Sequence, residues 1–342
     1  MMKPATTSDV FDLIDAYGTV AALGAAMELG LFWLVAEQPL EASDVAQRLE
    51  IPLNRCQYWL QLLSSVDLLD RGPNGFSPSS LTQETILNTY SQETWAFLAR
   101  EARERFPAVQ DLALHIRTPG SVWDTRGLTP PDYLQQMIES PERARQFTWM
   151  LYEIHLPFAD AIADSLDMRG VDNLMDLGGG SGVVSFALLR RNPGLRAVVV
   201  DIPNVCATGR EIARENAMQD RIEYLEADFV RDELPTGFDR VLLCDVGPYS
   251  KPFFQKIRGS LNSGGRLVIV GQFAPKKGEA PASRLQWAFV GSLENPDTAY
   301  TTMTELRSWL IQAGYQSVSE RALPSRGVEK WSGGWTIVKA DN

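Results

Sequence analysis

Apolar and polar positions change rhythm twice along this chain. Up to about residue 90 the pattern is helical and then wing-like. From Val20 to Phe32 apolar residues fall around nearly the whole of a helix, which predicts burial against a partner surface. Residues 41–49 read as a short helix and 53–69 as a second. A turn over 70–75 then separates two short strands. Helix, helix and hairpin in that order predict a winged helix. Residues 90 to about 170 are mostly helical, broken at 118–121 and 129–131. From Val171 short apolar runs alternate with helices, with strands expected at 173–177, 197–201, 222–226, 240–244 and 266–270. Such runs suit a parallel sheet covered on both faces. Strands at 316–322 and 334–339 have no helix between them and predict an antiparallel hairpin on the sheet edge. The expected fold is α/β, with three regions at 1–90, 91–168 and 169–342.

Composition narrows the classes. With 342 residues, 44% hydrophobic and 22% charged, the chain reads as an ordinary globular protein of two domains. No run approaches the roughly 20 apolar residues of a membrane span. The start, Met1 to Ala5, lacks the apolar core and cleavage site of a secretory signal. A cytoplasmic protein without a membrane partner is therefore expected. Cys56, Cys206 and Cys244 are too few and too scattered for a disulfide framework or a zinc site. With only two histidines, His115 and His155, no metal is expected. The net charge of -11 argues against nucleic acid as a partner. Residues 1–90 hold four Lys or Arg against eleven Asp or Glu, a net of -7, where a DNA reader would be basic. A dimerisation or substrate-lid role fits this region better, with a ligand-sensing DNA-binding regulator as the alternative.

The chemistry gathers around Gly178, Gly179, Gly180 and Gly182, a glycine loop between the first strand of the sheet and a helix starting near Val183. Doubly wound sheets bind nucleotide-like cofactors at such loops. Asp201 closes the second strand, 23 residues after Gly178, where a carboxylate can accept hydrogen bonds from both ribose hydroxyls. Three features favour S-adenosylmethionine over NAD. Gly178, Gly180 and Gly182 do not follow the Gly-x-Gly-x-x-Gly spacing. The sheet ends in a hairpin. The third strand runs into Asp228 and Phe229, a carboxylate for an adenine amine and a ring to stack beside it.

On these residues the chain resembles the S-adenosylmethionine-dependent small-molecule O-methyltransferases of plants and bacteria. The likeness spans nearly the whole length. It takes in residues 21–32, Phe147 and Met150, 176–182, 201–205, Asp228 with Phe229, 261–270, and Thr302 with Glu305. It implies a C-terminal Rossmann-like methyltransferase domain with a seven-stranded sheet, preceded by a helical, winged-helix dimerisation domain, and hence a homodimer. It further implies that Gly178 and Gly180 pass the methionine part of the cofactor, that Asp201 holds the ribose and that Ile202 packs on the adenine. Asp228 and Phe229 would bond and cover the adenine, and Cys244 stands where the family usually has a lysine. Asp201 and Asp228 could instead be surface caps, and Asp176 could bond the glycine loop. Met150, Trp287 and Phe289 fall where the family lines its acceptor pocket, although the two aromatics, like Trp149, suit a core equally well.

One family feature is missing. The histidine that removes the acceptor's proton, and the aspartate after it, are replaced by Pro248 and Tyr249. A phenol with pKa about 10 is a poor base at neutral pH. His155 is the best substitute, with Tyr152 three residues before it on the same helical face. No carboxylate lies three or four residues from His155, and the alternative is a histidine satisfied at a helix interface. Pro157 is expected to kink the helix and could bring Asp160 closer. Tyr249 could bond the acceptor or only shape the wall. His115 lies far from any motif. The expected function is methyl transfer to a small-molecule hydroxyl, with S-methylation of a thiol or thioether, or cofactor binding without methyl transfer, as alternatives.

Overall fold

The computed structural model describes residues 3–128, 133–247, 249–324 and 333–342. The expected break at 129–131 and Pro248 lie outside the described residues. The chain divides into two compact units, one ending at Pro107 and the other running from Ala108 to Asn342.

In the first unit, Thr6 caps the helix Thr7–Glu28 with a reciprocal box: its side chain accepts from Asp9 N, and the Asp9 carboxylate accepts from Thr6 N. The apolar run from Val20 to Phe32 is two helices rather than one. Gly30 adopts φ 69° and turns the chain into a second helix, Leu31–Glu37. Ala26, Met27, Leu31 and Phe32 then close the unit's own core with Val35, Cys56, Leu60 and Leu63. The expected burial against a partner surface is thus met inside the unit at Ala26, Met27, Leu31 and Phe32, while Val20 at the start of the run stays exposed. Further exposed apolar residues lie earlier, at Phe11, Ile14 and Tyr17. Helices Ala42–Arg48 and Leu53–Ser65 lead into the antiparallel hairpin of β1 (Leu69–Gly72) and β2 (Gly75–Pro78).

The second unit holds a seven-stranded sheet. Its strands are β3 (Asn173–Leu177), β4 (Arg196–Asp201), β5 (Ile222–Glu226), β6 (Phe238–Cys244), β7 (Leu261–Gly271), β8 (Ser317–Ala322) and β9 (Thr336–Asp341). They lie in the order β5-β4-β3-β6-β7-β9-β8; the first five are parallel, and β9 runs antiparallel to both β7 and β8. This is the α/β sheet with a terminal hairpin that the sequence predicts.

Alternate residues of one strand feed opposite faces. Leu174, Leu242 and Val268 enter one core, packed with helices Pro141–Ser165, Val183–Arg191 and Pro203–Glu215. Met175, Leu177, Val241 and Leu267 enter the other, with helices Lys251–Ser260 and Met303–Gln312. Chain order reverses beside β3, so a crevice opens at the C-terminal ends of β3, β4 and β6.

Candidate active site

β3 ends in a loop folded over its own carboxylate. Asp176 is 1% exposed inside the strand, where Oδ2 accepts a bond from Ser185 Oγ at 2.7 Å and Oδ1 has no partner among the described residues. Burial pushes its pKa up to about 6. A Cβ on Gly179 would come within 2.5 Å of that carboxyl, so a side chain there would lift the loop off the strand. Gly178 adopts φ 70°, and a Cβ on it would lie 2.9 Å from Val246 and 3.3 Å from the Phe229 ring.

The loop is tied to the next strand through Asp201. Oδ2 accepts from Gly180 N at 2.9 Å and Oδ1 from Ile202 N at 2.8 Å. Each oxygen keeps capacity for a second hydrogen bond. Burial raises this carboxyl above its ordinary value, against the two backbone bonds. Beyond β5, Asp228 Oδ1 accepts from Val230 N at 3.0 Å and Arg231 N at 3.3 Å, which shapes the turn that presents Phe229. Phe229 packs on Phe253 with ring centroids 6.1 Å apart.

These groups line a cavity of about 850 Å³, within the range of small-molecule sites. Its remaining wall comes from the helix Pro141–Ser165 and the end of β6. His155 and Phe158 stand there with ring centroids 5.9 Å apart, beside Cys244, Asp245 and Trp335. Burial lowers the His155 pKa below the ordinary histidine range, with Asp245 pulling the other way. Burial pushes the Cys244 thiol well up, which disfavours the thiolate.

Residues 114–316 match the family model described as O-methyltransferase domain. The chain belongs to the O-methyltransferase family. It is 30% identical over 263 residues, 75% of both chains, to a 3-hydroxy-5-methyl-1-naphthoate 3-O-methyltransferase of Streptomyces sahachiroi. It is 26% identical, over 98% of its own length and 96% of the other's, to the N,N-dimethyltransferase OxyT of Streptomyces rimosus. Its fold matches that of PigF, solved with SAH, at TM-score 0.83 and 18% identity, covering 99% of this chain and 100% of that one.

Of the residues singled out from sequence, this methyltransferase brings His155, Gly178, Gly180, Asp201, Ile202, Asp228, Phe229 and Cys244 to one cavity. Five others lie off its wall. Tyr152 does not share a site with His155; its hydroxyl donates to Asn216 at 2.8 Å and its ring packs edge-on to Phe186. Tyr249 is stacked on Phe254, and burial raises its phenol further above neutral pH. Met150 is buried, while Trp287 and Phe289 are each 41% exposed on the helix Leu285–Glu294.

One supporting expectation also changes. In the helix Pro141–Ser165, Asp160 pairs with Arg191 at 3.0 Å instead of turning to His155. The carboxylate whose charge acts on His155 is Asp245, just past the C-terminal end of the central strand β6. Its position straight after a strand was the one available signal, since its partner Arg284 is remote in sequence.

Proposed function

We propose that this chain transfers the methyl group of S-adenosylmethionine to a nucleophile, most simply a hydroxyl, on a small molecule. The observation that carries the reading is the joining of Gly178, Asp201 and Phe229 in one cavity through a loop that admits no side chain at Gly178 or Gly179. The residues fit that cofactor. Asp201 retains acceptor capacity for two ribose hydroxyls, Ile202 and Phe229 offer apolar faces to an adenine, and Asp228 offers a carboxylate to its amine. The bound cofactor supplies an electrophilic methyl on a sulfonium.

The protein's part is to align the acceptor and take its proton. Alignment alone supplies roughly 7–11 kcal/mol of a barrier. His155, whose pKa is lowered by desolvation in the cavity wall, is the proposed base. The Tyr152 hydroxyl is bonded to Asn216 and the Tyr249 ring is stacked on Phe254 off the cavity wall, so neither is used in this scheme. Scarcity of bases keeps a second reading in view, methyl transfer to a thiol or thioether, which needs little or no proton removal.

The proposal extends to the first unit. Its helices and hairpin serve as a winged-helix dimerisation domain, and the enzyme works as a cytoplasmic homodimer without nucleic acid.

The test is incubation with methyl-labelled S-adenosylmethionine and a metabolite extract, followed by mass spectrometry of labelled products. Label on oxygen supports the first reading and label on sulfur the second. Absence of S-adenosylmethionine binding in calorimetry would sink both.

A further inference from the structure

Asp245 is the one carboxylate of the cavity that the proposed cofactor contacts leave unused at the acceptor end, beside His155 and Cys244. It adopts φ 54°, an uncommon left-handed conformation for a side-chain-bearing residue, and its N–H donates to Val270 O at 2.8 Å. Oδ2 meets Arg284 Nη2 at 2.5 Å. Oδ1 has no partner among the described residues, and the side chain is half-exposed.

Arg284 is held from behind. Its Nε donates to Gln272 Oε1, and the guanidinium lies 5.5 Å from the centre of the Trp335 ring. Gln272 is itself anchored on Ser283 Oγ at 2.8 Å and Gly333 O at 2.6 Å. Arg284 is not part of the cavity wall, so a molecule inside meets the carboxylate rather than the guanidinium.

The same arrangement recurs around the cavity. Six carboxylates line it, those of Asp176, Asp201, Glu226, Asp228, Asp232 and Asp245, and among the described residues no Lys or Arg does. Arg210 and Arg231 pair with Glu226 and Asp228 from outside, at 2.7 Å and 3.5 Å. Asp176 adds a buried, unpartnered oxygen. Among the described residues His155 is the one basic side chain of the wall, and desolvation lowers its pKa.

We propose that the Asp245 carboxylate, braced by Arg284, selects a methyl acceptor that carries a cationic nitrogen and rejects one that carries a carboxylate. The proposal rests on the methyltransferase reading for the statement that the selected molecule is the acceptor. A protonated amine at Oδ1 would complete the open hydrogen-bonding position and meet its opposite charge. A carboxylate placed there would face like charge on several sides with no wall cation to offset it.

The test uses two probes of one shape and opposite charge, 1-naphthylmethylamine and 1-naphthoate. Their binding is measured by calorimetry with S-adenosylhomocysteine present, so that the cofactor end is filled. The amine is expected to bind wild type at least about tenfold more tightly than the acid. Asp245→Asn, which keeps the shape, is expected to bring the two within about twofold. Arg284→Gln removes the bracing cation and is expected to widen the preference, a second reading should Asp245→Asn perturb the fold. Equal binding, a preference for the acid, no binding of either probe, or a preference that survives Asp245→Asn would overturn the proposal. Failure of S-adenosylhomocysteine to bind wild type would count instead against the methyltransferase reading.

Discussion

Asp176 and His155 are titratable groups whose pKa values are moved by the same cause, desolvation, to opposite sides of their ordinary positions. Asp176 rises from 3.8 to about 6 because its charged form is desolvated. Its contribution to stability is therefore full below the ordinary carboxylate pKa and is lost as pH rises through about 6. The ionised form costs on the order of 3 kcal/mol by linkage. Asp176→Asn should gain on wild type in melting temperature as pH rises from about 4 to about 6 and hold that gain above it, and a gap independent of pH would refute this. His155 is lowered, so it stays neutral to more acid pH than a free histidine. The acid limb of turnover should lie below about 6.5. His155→Gln should cut kcat by about 10²–10⁴ and abolish that limb without changing cofactor affinity. Loss of cofactor affinity alone would mean a structural histidine. At this scale the gathering of Gly178, Asp201 and Asp228 in one cavity was legible, because Asp201 ends β4 and Asp228 follows β5 by two residues. Asp245 was not: its role depends on a left-handed turn and on an arginine 39 residues away.

The helix Pro141–Ser165 explains where reading by element succeeded and where it failed. Its periodicity is clear in the sequence, and so is the rhythm of the strands, because buried parallel strands are written as short apolar runs. Periodicity does not say which neighbour each face meets. Tyr152 and His155 are one turn apart, yet Tyr152 is claimed by Asn216 at the end of the helix Pro203–Glu215, while His155 reaches the cavity. Asp160 and Asp164 are claimed by Arg191. Tyr152→Phe deletes one partly buried hydrogen bond and should cost about 1 kcal/mol in chemical denaturation. Turnover should be unchanged in KM and kcat, whereas a fall in kcat at constant stability would return Tyr152 to the chemistry. The family's late-helix signature gives the opposite lesson. Thr302 and Glu305, three residues apart, form the reciprocal cap of the helix Met303–Gln312 as such a spacing predicts.

For the molecule as a whole, the question is what covers the first helix. Thr7–Glu28 is 22 residues long and contains an 18-residue stretch with a mean hydropathy of 1.4, enough by length and composition to cross a membrane. Phe11, Ile14, Tyr17 and Val20 are between 61% and 71% exposed and recur every three residues, so they form one stripe. A contiguous stripe of this kind marks an interface, as scattered apolar residues do not. Asp12 and Asp15 are exposed within the same stretch. Each would cost about 2.5–3.5 kcal/mol near the centre of a bilayer, whereas both can stay in water beside a protein partner. A second copy of this helix is the occupant that fits the proposed homodimer. Sedimentation velocity should give a dimer for wild type. It should give a monomer for the triple variant Phe11→Ser, Ile14→Ser, Tyr17→Ser, with far-ultraviolet circular dichroism preserved. Wild type should also stay at the bottom of a flotation gradient with anionic phospholipid vesicles. A wild-type monomer that floats with the vesicles would assign the stripe to a membrane surface, because burial in lipid would then be the only remaining way to remove it from water.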